Sequence, residues 1–302
     1  MASAWQDLRL YIVLFGGVVA VSFGAIFVRV AEAPSLVIAS HRLLIASLIV
    51  APVGLSRRHA ELRALSRSDL SWAVVSGVLL SLHFVFWIAS LEYTSVASSV
   101  FFVSTSPIFV GVASHLLTRD KLSLTMSAGI AVAVLGGMVI GWNDLALGSE
   151  ALRGDLLAIV GAVMVGGYFM AGRKLRPKVS LLAYVTVVYS IAALGALTLT
   201  VLAKHRLSGY SAQTWAMFIL LAIVPQLVGH SSLNWALRLL PAAAVGVVTL
   251  GEPVGSTVLA YFLLKEPPTL LTVLGGALIL AGIYLSLQRR SLRRTAEVNG
   301  LR

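Results

Sequence analysis

Apolar runs of about 20 residues recur along the chain between short polar breaks, and a helix of that length crosses the hydrocarbon core of a bilayer. Reading each run between charged or Pro/Gly-rich breaks predicts ten helices, at approximately 10–28, 35–54, 72–91, 95–117, 124–142, 154–172, 181–203, 214–237, 241–264 and 269–287. The first run follows a single arginine, Arg9, and is succeeded by further runs rather than by a small-residue cleavage site, so it is expected to remain as a helix. The expected fold class is an all-α integral membrane bundle.

Composition narrows the class. Of 302 residues, 58% are hydrophobic and 12% charged, and the mean hydropathy is +0.93. Soluble domains carry about a quarter charged residues, so this chain lacks the polar cover for a water-facing exterior. The net charge of +11 sits in short gaps between the runs, too short to build a nucleic-acid-binding face. With no cysteine, disulfides, thiol chemistry and thiolate metal sites are excluded.

The basic residues also report orientation. Alternate gaps hold Arg9, then Arg57, Arg58, Arg63 and Arg67, then Arg119 and Lys121, then Arg173, Lys174, Arg176 and Lys178, then Arg238 and the five arginines from Arg289 to Arg302. The other gaps hold only Arg29, Arg153, Lys204, Arg206 and Lys265. By the positive-inside rule, both termini are expected in the cytoplasm.

Sliding the chain over itself by 146 residues places Leu91, Ala97, Pro107, Leu124, Gly129 and Gly136 on Leu237, Ala243, Pro253, Leu270, Gly275 and Gly282, and Arg119-Asp120 on Lys265-Glu266. The prolines, glycines and charge doublet kept in register indicate a duplication, with halves at 1–146 and 147–290 and a basic tail at 291–302. Five spans per half, an odd number, force the second half to enter the membrane inverted, the plan of secondary transporters with one midplane site.

Ten spans in two halves, each with a proline-containing fourth helix, a short acidic turn and a Gly-rich fifth helix, resemble the drug/metabolite transporter superfamily in its EamA branch. Asp120 stands where that family more often has Glu. Within the family, the chain looks most like the bacterial aromatic amino acid exporters. The resemblance implies a small-molecule substrate, a location in the bacterial inner membrane and function as a monomer, with the lipid bilayer as the other partner. No cofactor, metal or nucleic acid is implied.

Polar groups at membrane depth are costly, so each one needs a partner or a cavity. Gln226, His230, Asn234 and Arg238 recur every four residues and would share one helix face, either lining a cavity or forming a hydrogen-bonded seam, with Arg238 anchoring the interface. His83, Trp87 and Ser90 share a face of the third span. Across a pseudo-twofold axis, His83 and His230 would lie at similar depth. Tyr168 is a candidate cavity aromatic, beside the small stretch Ser22 to Gly24 of the first span. Glu252 either titrates, binding a proton or substrate amine, or is fixed by Arg42 or His230, with His41 next to that arginine. Pro107 and Pro253 remove donors for the carbonyls of Val103 and Thr249 and are candidate hinges, or else static kinks.

The ladder Gly129, Ala133, Gly137, Gly141 in the fifth span and Gly275, Gly276, Ala277, Ala281, Gly282 in the tenth predict close packing of these two helices as a scaffold. An intramembrane enzyme would need a nucleophile with its base, or metal ligands. The chain has no HExxH, no cysteine and no pair of aspartates within the predicted spans. A membrane receptor or scaffold is the remaining non-transport alternative. The leading expectation is an exporter of small amphipathic metabolites built around His83, Trp87, His230, Asn234 and Glu252, then Tyr168 and Gln226.

Overall fold

A computed structural model describes residues 2–118 and 124–299, so Arg119 and Asp120 of the first acidic turn lie outside the described residues. Every regular element among the described residues is helical. Among the described residues, nine helical stretches are long and apolar enough to cross a membrane: Leu8–Val30, Ser35–Arg57, Arg67–Ser90, Val96–Ala113, Ser127–Leu145, Ser149–Leu175, Leu181–Leu202, Ala212–Ala236 and Ala244–Leu264. The tenth expected segment corresponds to a shorter apolar stretch, Leu270–Leu285.

Local chemistry sets where helices begin. Ser66, Ser95, Ser180 and Ser211 each accept a bond from the amide three residues on, opening α5 (Arg67–Ser90), α6 (Val96–Val103), α10 (Leu181–Leu202) and α11 (Ala212–Leu221). Each such cap contributes about 1 kcal/mol. The expected start of the third span at 72 falls short because Arg67 and Asp69 read as a break, whereas the Ser66 cap starts the helix five residues earlier.

Glutamates from other segments close one further helix start and reinforce two of these. Glu92 accepts from the Ser35 amide of α3 (Ser35–Arg57), Glu61 from the Ser180 amide and hydroxyl, and Glu266 from the Val96 amide at 2.6 Å. Glu266 also sits 3.7 Å from Arg29, whose guanidinium donates to the Thr94 carbonyl. The second acidic turn is therefore an anchor for the fourth span. Glu266→Gln should lower stability by about 1–2 kcal/mol, since an amide oxygen replaces a charged acceptor that is partly solvent-screened. A thermal midpoint unchanged in detergent would remove that anchoring role.

The fourth and ninth spans are broken at matched places. α6 gives way at Ser104-Thr105 to α7 (Ser106–Thr118), and α13 (Ala242–Val248) gives way at Thr249-Leu250 to α14 (Gly251–Leu259). Pro107 and Pro253 lie just past these breaks, where their missing amides would otherwise have donated to the preceding turn. The eighth span departs from a uniform helix. Between α11 and α12 (Ser231–Ala236) runs a π-helical stretch, Ala222–His230, with Pro225 inside it.

The main packing pairs are α5 with α9 (Ser149–Leu175), α3 with α10, and α8 (Leu124–Leu147) with α15 (Leu270–Asn299). The N-terminal helix α1 (Ala2–Ser22) lies along the π-helical stretch. A methyl built on Gly136 would come within 2.5 Å of the Gly275 carbonyl oxygen, and one on Gly282 within 2.5 Å of the Gly129 carbonyl oxygen. The backbones of α8 and α15 thus touch. The expected small-residue ladder is corrected in phase: the contact runs through Gly129, Ala133, Gly136 and Ile140, while Gly137 faces Phe102 and Gly141 faces Leu152. The outside of the bundle carries exposed Phe15, Leu48, Met138, Leu194 and Phe262, an apolar surface suited to lipid tails and not to water.

Candidate functional site

A cavity holding about 480 Å³ of atom-free space, part of it open to the surroundings, lies among the first, second, third, fourth, sixth, eighth and ninth spans. From the first half it is lined by Val21, Arg42, His83, Phe84 and Trp87, with Val103, Ser104 and Ser106 at the break in the fourth span. From the second half come Val165, Phe169, His230 and Leu233, with Thr249 and Glu252 at the break in the ninth. Both broken helices therefore present their irregular turns to one space, where exposed backbone groups are tolerated.

His83 and His230 meet at this cavity with ring centroids 6.2 Å apart. The His83 ring stacks on Trp87 at 6.1 Å, and its Nδ1 donates to the Gly161 carbonyl at 2.9 Å. A carbonyl only accepts, so this bond assigns the proton to Nδ1 and leaves Nε2 as the free nitrogen of the neutral ring. Phe84 closes the cluster, 5.1 Å from His230.

Arg42 is fully buried. Its Nε donates to Gln226 Oε1 at 3.0 Å, and its guanidinium lies 3.9 Å over the Phe84 ring and 5.9 Å from Trp87. Among the described residues no ion pair joins Arg42 to Glu252, so of the alternatives open for Glu252 the fixed pair with Arg42 is not formed, and Arg42 meets an amide and an aromatic face instead. Glu252 lines the same cavity, and among the described residues no hydrogen bond ties its carboxylate to His230 or to another side chain. His41 belongs elsewhere: it stacks on Phe218 at 4.4 Å and bonds the carbonyls of Val37 and Leu207.

Tyr168, Gln226 and Asn234 lie behind the cavity and do not line it. The Tyr168 hydroxyl donates to Asn234 Oδ1 at 2.6 Å, and Asn234 Nδ2 donates to the Tyr189 hydroxyl at 3.2 Å. Tyr189 in turn meets Ser231 at 3.1 Å. The expected row of Gln226, His230, Asn234 and Arg238 is thus dispersed. A π turn takes more residues than an α turn, so the four-residue spacing through 222–230 no longer keeps one face. Gln226 reaches Arg42, His230 the cavity, and Asn234 the tyrosines, while Arg238 is exposed past the end of α12.

Two features escaped the sequence reading. Phe84 sits three residues before Trp87 on the same helix, a spacing that would have placed it on the Trp87 face. Asp144 and Asp155, both buried, converge on the Thr94 hydroxyl at 3.3 and 2.9 Å. The expectation of no paired aspartates within spans is corrected here, because α8 continues to Leu147, past the predicted end at 142. The pair lies outside the cavity, and among the described residues no group of three or more His, Asp or Glu could hold a metal ion.

Comparison with known proteins agrees with this architecture. The EamA-like transporter family matches residues 8–142 and again 152–288. The chain belongs to that family, and it is a multi-pass membrane protein. It is 27% identical to an uncharacterized transporter of Archaeoglobus fulgidus over 95% of this chain and 99% of that one. It is 26% identical to the uncharacterized transporter YetK of Bacillus subtilis, over 66% of this chain and 62% of that one. A protein of Streptantibioticus cattleyicolor named "Probable terminal-alkyne amino-acid exporter" is 26% identical over 65% of each chain. A solved crystal structure, 20% identical, shares the fold with a TM-score of 0.68 over 94% of this chain and 98% of its own.

Proposed function

We propose that the protein exports amino acids, aromatic ones foremost, or similar small amphipathic metabolites across the bacterial cytoplasmic membrane by alternating access. On this reading ten helices form two inverted five-helix halves, 1–146 and 147–290, with both termini in the cytoplasm. The observation that carries it is the cavity lined by both halves, with His83 and Trp87 from one and His230 and Glu252 from the other. The pairing of helices fits the same symmetry: third span on sixth and first on eighth are equivalent under a half-to-half exchange, while second on seventh and fifth on tenth map onto themselves. The Streptantibioticus exporter supports an amino acid as cargo, and the rings at 5.1–6.2 Å around the cavity suit an aromatic one.

In alternating access, the breaks at Ser104-Thr105 and Thr249-Leu250 act as hinges: Pro107 and Pro253 offer no amide to the turn before them, and the Thr249 carbonyl is taken by the Glu252 amide in a tighter turn instead, so that the halves of each helix can tilt. The test is flux of a panel of amino acids from liposomes holding the purified protein, with and without a proton gradient. His83→Ala and His230→Ala should lose export while remaining in the membrane. No net movement of any solute would sink the reading.

A second reading, proton-coupled export of other metabolites or drugs, is favoured by one observation: Glu252 lines the cavity with no ion-pair partner among the described residues. An intramembrane carboxyl so placed can load and release a proton as access alternates. Under coupling, Glu252→Gln should flatten the pH dependence of export; a variant with wild-type rate and pH dependence would remove Glu252 from that role.

A further inference from the structure

The charged groups at the cavity are an arginine and a glutamate that, among the described residues, form no ion pair and act on each other only at longer range. Arg42 is held on one side only: Gln226 takes its Nε and the Phe84 face covers its plane, while Nη1 finds no hydrogen-bond partner among the described residues. Trp87 Nε1 and His230 Nδ1, on two other cavity-lining residues, are likewise without partners. Arg42, Trp87 and His230 are only 1%, 3% and 7% exposed, so these are not groups idling at a wet surface. A ring face, one amide oxygen and a carboxylate that acts only from beyond ion-pair distance leave a buried guanidinium undercompensated, and such a charge favours an anion in direct contact.

The unfilled groups share a chemistry. An arginine Nη and an indole N–H are donors only, and the imidazole nitrogen can become one by its choice of tautomer. They are joined in one cluster, Arg42 over Phe84 and Trp87, and Phe84 against His230. A carboxylate, with two oxygens that accept several bonds and pair well with a guanidinium fork, matches them. The opposite requirement is set by Glu252, an acceptor in the same cavity with no ion-pair partner among the described residues.

We propose that this cavity selects its solute as a zwitterion, with Arg42, aided by Trp87 Nε1 and His230 Nδ1, taking the free carboxylate and Glu252 taking the free ammonium. The inference rests on the exporter reading above and narrows it: solutes with only one of the two charges are excluded. Arg42 becomes the residue that separates amino acids from amines and amides. Gln226 positions it through Nε and does not touch the solute.

The test uses the full chain in liposomes and measures inhibition of L-phenylalanine or L-leucine efflux by the matching amides and N-acetyl derivatives. Each derivative, having lost one charge, should inhibit at least tenfold less well than its parent amino acid. Arg42→Gln should erase the preference over the amide while leaving that over the N-acetyl compound, and Glu252→Gln should do the reverse; Arg42→Lys should keep part of the first. Equal inhibition by an amide or an N-acetyl derivative overturns the zwitterion inference and leaves export standing. Failure of every parent amino acid to move overturns the exporter reading and this inference with it. If an Arg42 variant does not accumulate, the analogue series on the unmodified protein decides alone.

Discussion

Gly136→Ala should destabilise the protein strongly, Gly137→Ala only slightly, and Gly16→Ala not at all. The three residues are helical glycines in apolar spans, so helix propensity alone would reward each change by about 1 kcal/mol. What separates them is the neighbour. At Gly136 the added carbon meets the Gly275 carbonyl oxygen at 2.5 Å and the Ile279 amide nitrogen at 2.8 Å, both backbone atoms of α15 that can retreat only if the helices separate. At Gly137 it meets the edge of Phe102 at 3.3 Å, a side chain that can rotate; at Gly16 it meets nothing within 4 Å.

Overpacking a tight contact costs about 1–3 kcal/mol or more when the obstacle is rigid. In a bilayer there is little hydrophobic force to restore the pair, because lipid tails are as apolar as the helix and association depends on van der Waals fit. Gly136→Leu and Gly275→Leu should therefore abolish monodisperse protein on size-exclusion chromatography in detergent. Gly16→Ala should match or slightly raise the wild-type thermal midpoint. A Gly136→Ala protein as stable as Gly137→Ala would mean that α8 and α15 do not touch where they are placed.

That pair of adjacent glycines marks how far the sequence can be read. Span position follows from run length for nine of the ten expected segments among the described residues, because a bilayer penalises every uncovered charge. The broken fourth and ninth spans follow from Pro107 and Pro253, whose effect is covalent and local. Rotation about a helix axis is different. In water, the apolar stripe names the buried face; in lipid the outward residues are apolar too, so the ladder Gly129, Ala133, Gly137, Gly141 looked as good as the true contact through Gly136.

Within the site, the ionisable and aromatic residues His83, Trp87, His230, Glu252 and Arg42 stood out in the sequence and line the cavity, because few polar groups are affordable at that depth. Their partners did not stand out. Arg42 chose a phenyl face and an amide over the available carboxylate, a preference that depends on where three helices cross. The π-helical stretch at Ala222–His230 left no clear signal beyond Pro225, yet it decides which of Gln226, His230 and Asn234 faces the cavity.

Asn234→Leu should show on which side of that division Asn234 falls. Its side chain is fully buried and holds two phenols, accepting from Tyr168 and donating to Tyr189, and its carbonyl accepts from Arg176 Nε at 2.9 Å. Leucine keeps the volume and the backbone carbonyl but takes the Tyr168 hydroxyl's acceptor and one of Tyr189's partners, Tyr189 keeping Ser231 and the Gln226 carbonyl, where water is scarce. At about 1–3 kcal/mol for each buried group that loses its bond, less whatever Tyr189 retains through Ser231, the loss should be about 2–4 kcal/mol. Tyr168→Phe strands Asn234 Oδ1 and takes a neighbour from the Tyr184 hydroxyl, which keeps Ser76, and should cost about half as much. His230→Leu removes a nitrogen that has no partner to lose and should cost less than either, yet it changes a cavity wall. The two classes therefore separate by readout: Asn234→Leu and Tyr168→Phe lower the thermal midpoint while folded protein keeps its KM, and His230→Leu keeps the midpoint while KM shifts. An Asn234→Leu protein with a wild-type midpoint and an altered KM would put Asn234 back in the cavity wall, and with it the uniform helical face that a straight eighth span would have produced.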